Sequence, residues 1–220
     1  MKLSEYDAVI SLGSNCAPGL TLRDLGYKQK TYPFDWVRTN AKIIHDVLVN
    51  GFDNYLQFNG KISNDFLLND LHSYTNPHFS KYYVNYYGQH FTHYTNIPAS
   101  ECLTKFTRYS ERFTELLNSN KRILFIHANE EFIYHKKARD AKYELYEYLC
   151  KINDVLTDKY PQLSFTILNI DIENDCKDYK NIVNITIPYN LGYSDCCEYH
   201  TPYYYTQYRN GLTEIVSRLQ

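Results

Sequence analysis

The sequence predicts an α/β domain built on a mostly parallel sheet flanked by helices, with an aromatic-rich insertion on its rim. Two observations carry this. Short apolar runs of strand length recur at Ala8–Leu12, Ile123–Ile126, Leu163–Ile170 and Asn181–Ile187. Between most of them lie segments with helical spacing of apolar residues, the order that builds parallel sheets. At 220 residues, with 44% hydrophobic and 16% aromatic residues, the chain can fill one core, and residues 1–220 are expected to form one domain.

The first run breaks at Gly13, and Thr21–Leu25 then reads as a helix closed by Gly26. Tyr32-Pro33-Phe34-Asp35-Trp36 is an aromatic turn with the single tryptophan. Ala41–Leu56 has apolar residues at helical spacing, interrupted at Gly51. Residues 57–100 are the expected insertion: a polar segment over 59–80 that reads as loop with short structure, then a Tyr-rich stretch over 82–94 that reads as a hairpin or paired extended segments. Glu101–Leu117 is helical by spacing, with Ser100 as its candidate cap. Ala141–Tyr160 is a long helix stopped by Pro161, and Arg209–Leu219 forms a last one. The whole fits a Rossmann-like or SGNH-like sandwich, in which sites gather at the C-terminal ends of the strands. Those ends carry Gly13–Cys16, His127–Glu130, Asn169–Asp171 and Pro188–Asn190.

Composition narrows the function classes. A net charge of −2 gives no bulk reason to expect nucleic-acid binding. No run of apolar residues is long enough to span a bilayer, and the first residues lack the apolar core of a signal peptide. Six cysteines at 16, 102, 150, 176, 196 and 197 contain no C-x-x-C pair and read as thiols of a reducing, cytoplasmic compartment. Phosphate-cradling glycine series and zinc motifs are missing, so no cofactor or metal is expected. The 24 tyrosines suit an AT-rich coding genome and identify no substrate.

Cys16 is the residue most suggestive of chemistry. A thiol at a strand-to-helix turn meets backbone N–H groups and the positive end of a helix dipole, a setting that favours thiolate. A cysteine nucleophile also needs a base and oxyanion donors. Asn15, Ser14 and backbone N–H groups are the candidate donors, and His90 and His93 the leading base candidates. If residues 90–93 are extended, the two rings face opposite sides and only one serves Cys16. His127, directly after an apolar run, is a second base candidate. Asp35, packed between Phe34 and Trp36, either orients a histidine, binds an arginine or caps the next helix. Lys105, Arg108 and Arg112 share a helical stripe that suits an anion or a solvated face. Trp36 is core or substrate wall.

Ile10-Ser11-Leu12-Gly13-Ser14-Asn15-Cys16, then Leu22-Arg23-Asp24-Leu25-Gly26, then Pro33-Phe34-Asp35-Trp36 resemble a family of bacteria and large DNA viruses. That family is labelled putative papain-like cysteine peptidase, domain of unknown function 1796. His90-Phe91-Thr92-His93 looks like its histidine segment, and Lys105–Arg112 like its basic helix. The resemblance implies a cysteine hydrolase with Cys16 as nucleophile, His93 as base and Asp35 as orienting acid, in host cytoplasm or virion for a viral member. A papain-like fold carries its cysteine on a long helix, whereas here an apolar strand leads straight into Cys16. That order also looks like the GDSL or SGNH hydrolases, which use serine and a D-x-x-H pair. Asp195 and His200 stand five apart rather than three, and Ser14 is the alternative nucleophile. The expected activity is hydrolysis or acyl transfer on an amide or ester. A peptide, ester or glycan is the expected ligand. A non-catalytic glycan- or protein-binding module with an aromatic groove, and a redox-sensing thiol, are the other readings.

Overall fold

Apolar runs and helical stripes resolve into alternating strands and helices in a computed structural model, which describes residues 1–13, 16–37, 39–63, 81–87, 89–94, 97–128, 138–171, 176–187 and 202–219. In chain order the described elements are β1 (Ala8–Gly13), α1 (Cys16–Asp24), α2 (Ala41–Asn50), β2 (Phe58–Ser63), β3 (Lys81–Asn85), β4 (His90–Phe91), α3 (Ala99–Leu117), β5 (Arg122–Ala128), α4 (Ala138–Lys159), β6 (Ser164–Asp171), β7 (Ile182–Thr186) and α5 (Pro202–Ser217). Single 3-10 turns occupy Leu3–Glu5 and Thr92–Tyr94.

β1, β5, β6 and β7 form one sheet in that order, every pair parallel. Residues that alternate along these strands supply two separate cores. On one face Ile10, Leu12, Ile123, Phe125, Phe165, Ile167 and Ile182 pack with apolar residues of α2, α3 and α4. On the other, Leu124, Ile126, Ala128, Leu168 and Ile170 pack with Ala17 and Leu22 of α1 and with Leu212, Ile215 and Val216 of α5. This is the α/β arrangement expected from the sequence. Both faces are covered, which is why these strands read as continuous apolar runs.

Local chemistry sets the boundaries. α2 starts where Asn40 accepts the Ile43 N–H at 3.0 Å and stops at Gly51, whose φ of 84° suits only glycine. α3 begins at Ala99, earlier than expected. Ser100 is therefore inside the helix and does not cap it; the extended Pro98 precedes the helix, and its carbonyl accepts the Cys102 N–H at 3.0 Å. β2, β3 and β4 make a second, antiparallel sheet, and the short structure expected within 59–80 includes the strand that ends at Ser63. This sheet joins the larger core through rings: Phe91 lies 4.8 Å from Phe58 and 4.7 Å from Phe106 of α3. Residues 64–80, with His72 and His78, lie outside the described residues, as do Asp195, Cys196, Cys197 and His200.

Candidate functional site

β1 ends in an irregularity. Its register with β5 slips between Ser11 and Gly13, the Ser11 hydroxyl accepts the Gly13 N–H at 3.1 Å, and Gly13 adopts φ 94°. A glycine turn after a bulge redirects the chain off the sheet. Cys16 is then the first residue of α1, its thiol half-buried. Pro18 falls in the first helical turn, where its missing N–H costs nothing. Cys16 thus sits at the C-terminal edge of the parallel sheet, at the N-terminus of the helix that follows. Ser14 and Asn15, the candidate oxyanion groups, lie outside the described residues.

One helical turn beyond Cys16, Gly19 meets the Pro33–Trp36 turn. A Cβ on Gly19 would lie 2.9 Å from the Asp35 carbonyl oxygen and 3.4 Å from the Lys28 ammonium. Only a residue without a side chain allows this approach. Residues three apart share a helix face, so Cys16 and Gly19 lie on the same side of α1.

Behind this contact is a buried ion pair. Lys28 Nζ pairs with Asp35 Oδ2, with side chains only 8% and 2% exposed. Asp35 Oδ2 also accepts the Tyr32 N–H at 2.7 Å. Burial pushes the Asp35 carboxyl up and the Lys28 ammonium down, and their mutual attraction opposes both shifts. The ammonium lies 4.5 Å from the centre of the Trp36 ring. Asp35 is therefore matched with a lysine rather than an arginine, and α2 takes its cap from Asn40 instead.

His93 lies in the 3-10 turn after β4, exposed, its ring 5.8 Å from that of Trp36 at 65°. Partial desolvation lowers its pKa. Among the described residues its contact with the Cys16 side of the molecule runs through Trp36, Lys28 and Gly19. His90 lies in β4 opposite Val84. Because the chain turns at Thr92, strand alternation does not relate His90 to His93.

The charged stripe on α3 divides. Lys105 pairs with Glu101 at 2.8 Å, and Arg112 donates to the Thr31 carbonyl at 3.0 Å. Arg108 is exposed, its guanidinium 5.7 Å from the Tyr109 ring.

His127 is placed quite differently. It is 2% exposed, stands next to Gly13 in the sheet register, and its Nδ1 lies 3.0 Å from Asn169 Oδ1. Burial drives its pKa down to about 4, against the Asn169 hydrogen bond, so the ring is neutral near pH 7. Sequence reasoning missed Lys28, Gly19 and Asn184. The one available signal was Asp35 itself, since a carboxylate between aromatics needs a cation and Lys28 lies in the same loop.

Comparison with known proteins bears on the same segments. The chain is 31% identical over 162 residues to "Uncharacterized protein R408" of Acanthamoeba polyphaga mimivirus, covering 67% of this chain and 72% of that protein. No solved structure matches it. A family profile covers residues 7–174, the span from β1 through β6 that includes Cys16, Asp35, His93 and His127. The chain belongs to the family described as "Putative papain-like cysteine peptidase (DUF1796)".

Proposed function

We propose that this protein is a cysteine-dependent hydrolase or acyltransferase acting on an amide or ester, with Cys16 as the attacking atom. The placement of Cys16 supports it best: a half-buried thiol opening a helix at the C-terminal edge of a parallel sheet. The positive end of α1 favours the thiolate. In the reaction the S–H bond breaks and an imidazole takes the proton. The sulfur pair attacks the carbonyl carbon, and the tetrahedral oxyanion is held by Asn15, Ser14 and backbone N–H groups. Collapse breaks the bond to the amine or alcohol, which leaves with the imidazole's proton. Water, or a second acceptor in acyl transfer, then cleaves the thioester and restores the thiol.

Two imidazoles are tied to the elements that carry Cys16. His93, the base indicated by sequence, connects through Trp36; His127 connects through the register of Gly13. Trp36, half-buried beside the exposed His93, is the proposed wall for substrate, and Asp35 acts by fixing this wall through Lys28.

Alkylation by iodoacetamide, followed against pH in the wild type and in Cys16→Ser, tests the proposal. An activated thiol gives a Cys16-dependent rate that persists well below pH 8. A Cys16 titrating at the free value of about 8.5 overturns it. A non-catalytic binding module, favoured by the Trp36–His93 pair alone, predicts that ordinary thiol.

A further inference from the structure

We infer that His127 is the imidazole that serves Cys16, and that Asn169 and Asn184 are positioning residues that hold it in a single tautomer. The inference rests on the cysteine-hydrolase reading above. It comes from a polar row at the end of a largely apolar sheet face. Gly13, His127, Asn169 and Asn184 are successive register partners on β1, β5, β6 and β7. His127, Asn169 and Asn184 alternate in step with Phe125, Ile167 and Ile182, so their side chains share the face covered by α2, α3 and α4. Three polar side chains in one row of a buried face are costly unless they satisfy one another.

They do, and in one direction. Asn184 Nδ2 donates to the Lys177 carbonyl at 3.0 Å, an oxygen that only accepts. Its Oδ1 is thereby turned to Asn169, whose Nδ2 donates to it at 2.9 Å. Asn169 must then present Oδ1 to His127, and His127 Nδ1 must carry the hydrogen across the 3.0 Å contact. Each amide orientation follows from the one before it, beginning at a backbone carbonyl. Asn184 is fixed at other points as well: its N–H donates to Asp178 at 2.8 Å and its Nδ2 reaches the Tyr146 hydroxyl at 3.2 Å. With Nδ1 protonated, Nε2 holds the lone pair.

That nitrogen is the ring's proton acceptor, and the register puts its strand beside the glycine turn that leads into Cys16. The register slip before Gly13 leaves Leu12 packed in the core on the same face. In the proposed step the Cys16 S–H proton moves to Nε2 and its electron pair stays on sulfur. Nδ1–H keeps its bond to Asn169 as the ring becomes positive. His93, exposed against Trp36, then belongs to the substrate side. A purely structural row predicts the same hydrogen bonds but no link to the thiol.

Long-range 1H–15N correlation of the histidine rings near pH 7 reads the tautomer, and iodoacetamide alkylation of Cys16 reads the link. Expected are an Nδ1–H tautomer for His127 and alkylation slowed about tenfold or more by His127→Gln. His93→Gln should slow it less than His127→Gln does. Asn169→Leu should slow alkylation like His127→Gln. Asn169→Asp, which still accepts from Nδ1–H but gives Asn184 Oδ1 no donor, should slow it less than Asn169→Leu. An Nε2–H tautomer overturns the inference, as does a larger loss from His93→Gln. So does a reactive Cys16 indifferent to His127→Gln, which leaves the hydrolase reading standing. An unreactive wild-type Cys16 overturns both. Should His127→Gln fail to fold, the wild-type tautomer and the Asn169→Asp rate still decide.

Discussion

Replacing Lys28 by methionine removes the cation from Asp35 while keeping most of the stem's bulk. The Asp35 side chain is 2% exposed, and without Lys28 its charge keeps only the Tyr32 N–H among the contacts described above. Breaking a buried pair from one side costs about 3–5 kcal/mol. The carboxyl escapes part of this by taking up a proton, because burial already holds its pKa above the ordinary value and losing Lys28 raises it further. The sign follows. A carboxyl with a folded pKa above its unfolded value of about 3.9 stabilises the fold fully below that value and loses the contribution as pH rises through the folded pKa. Each pH unit inside that window is worth about 1.4 kcal/mol, so the variant loses stability relative to wild type as pH rises from 5 to 7. Urea unfolding at pH 5, 6 and 7 measures it, with Lys28→Met/Asp35→Leu as the companion. Apolar replacement of both partners should recover stability to within about 1–2 kcal/mol of wild type. A Lys28→Met cost below about 1 kcal/mol at pH 7, or one independent of pH, refutes the account of a desolvated pair.

Gly19→Ala sets a helix-propensity gain of about 1 kcal/mol against overlap with a backbone oxygen at 2.9 Å. The expected net result is a loss of about 1–2 kcal/mol in urea; a gain equal to the full propensity would show that α1 does not seat on this turn. Tyr55→Phe removes the hydroxyl that donates to the buried Pro33 carbonyl at 2.7 Å and should cost about 1–3 kcal/mol by the same measurement. An unchanged midpoint would contradict that bond. Cys102 is fully buried, and burial pushes its thiol up to about 12. Mass spectrometry after iodoacetamide treatment at pH 8 should find Cys102 unmodified in native protein and modified only in denaturant. Rapid native labelling would place it outside the core.

Runs such as Ile123–Ile126 were legible because strands buried on both faces have no reason to alternate. Helix ends were harder to read. Ser100 has the chemistry of a cap, but Pro98 two residues earlier fixes the backbone that starts α3. The Tyr-rich segment hid the break at Thr92, since tyrosine supports strand and turn alike, and the extended condition under which His90 and His93 face opposite sides is not met. Cys16 was legible from its glycine. Asn169 and Asn184 each stand out as a polar residue inside an apolar strand, yet their partnership depends on register, which local sequence does not encode. Lys28 was signalled only indirectly, through the need of Asp35 for a cation: an isolated lysine in a polar loop gains meaning when the chain folds it over Asp35.

The family description speaks of papain, but here the cysteine opens a nine-residue helix delivered by a parallel strand. Chemistry has to be argued from the neighbours of Cys16 rather than from a fold name. β1 ends the described strand order, so its one sheet neighbour is β5, while α1 leans on the Pro33–Trp36 turn. The two supports differ in kind. The β5 support is a hydrogen-bonded row fixed in direction by a backbone carbonyl, and reorienting any member breaks the rest, which suits a group that must offer one lone pair. The turn support ends in aromatic rings over a lysine whose charge Asp35 already balances. A balanced pair gives little reason to select a charged ligand, so the proposed amide or ester substrate needs no ionic group on that side. If the support for the base and the wall for the substrate are separate, loosening the Lys28–Asp35 pair should alter which acyl groups react and leave the tautomer of His127 in place.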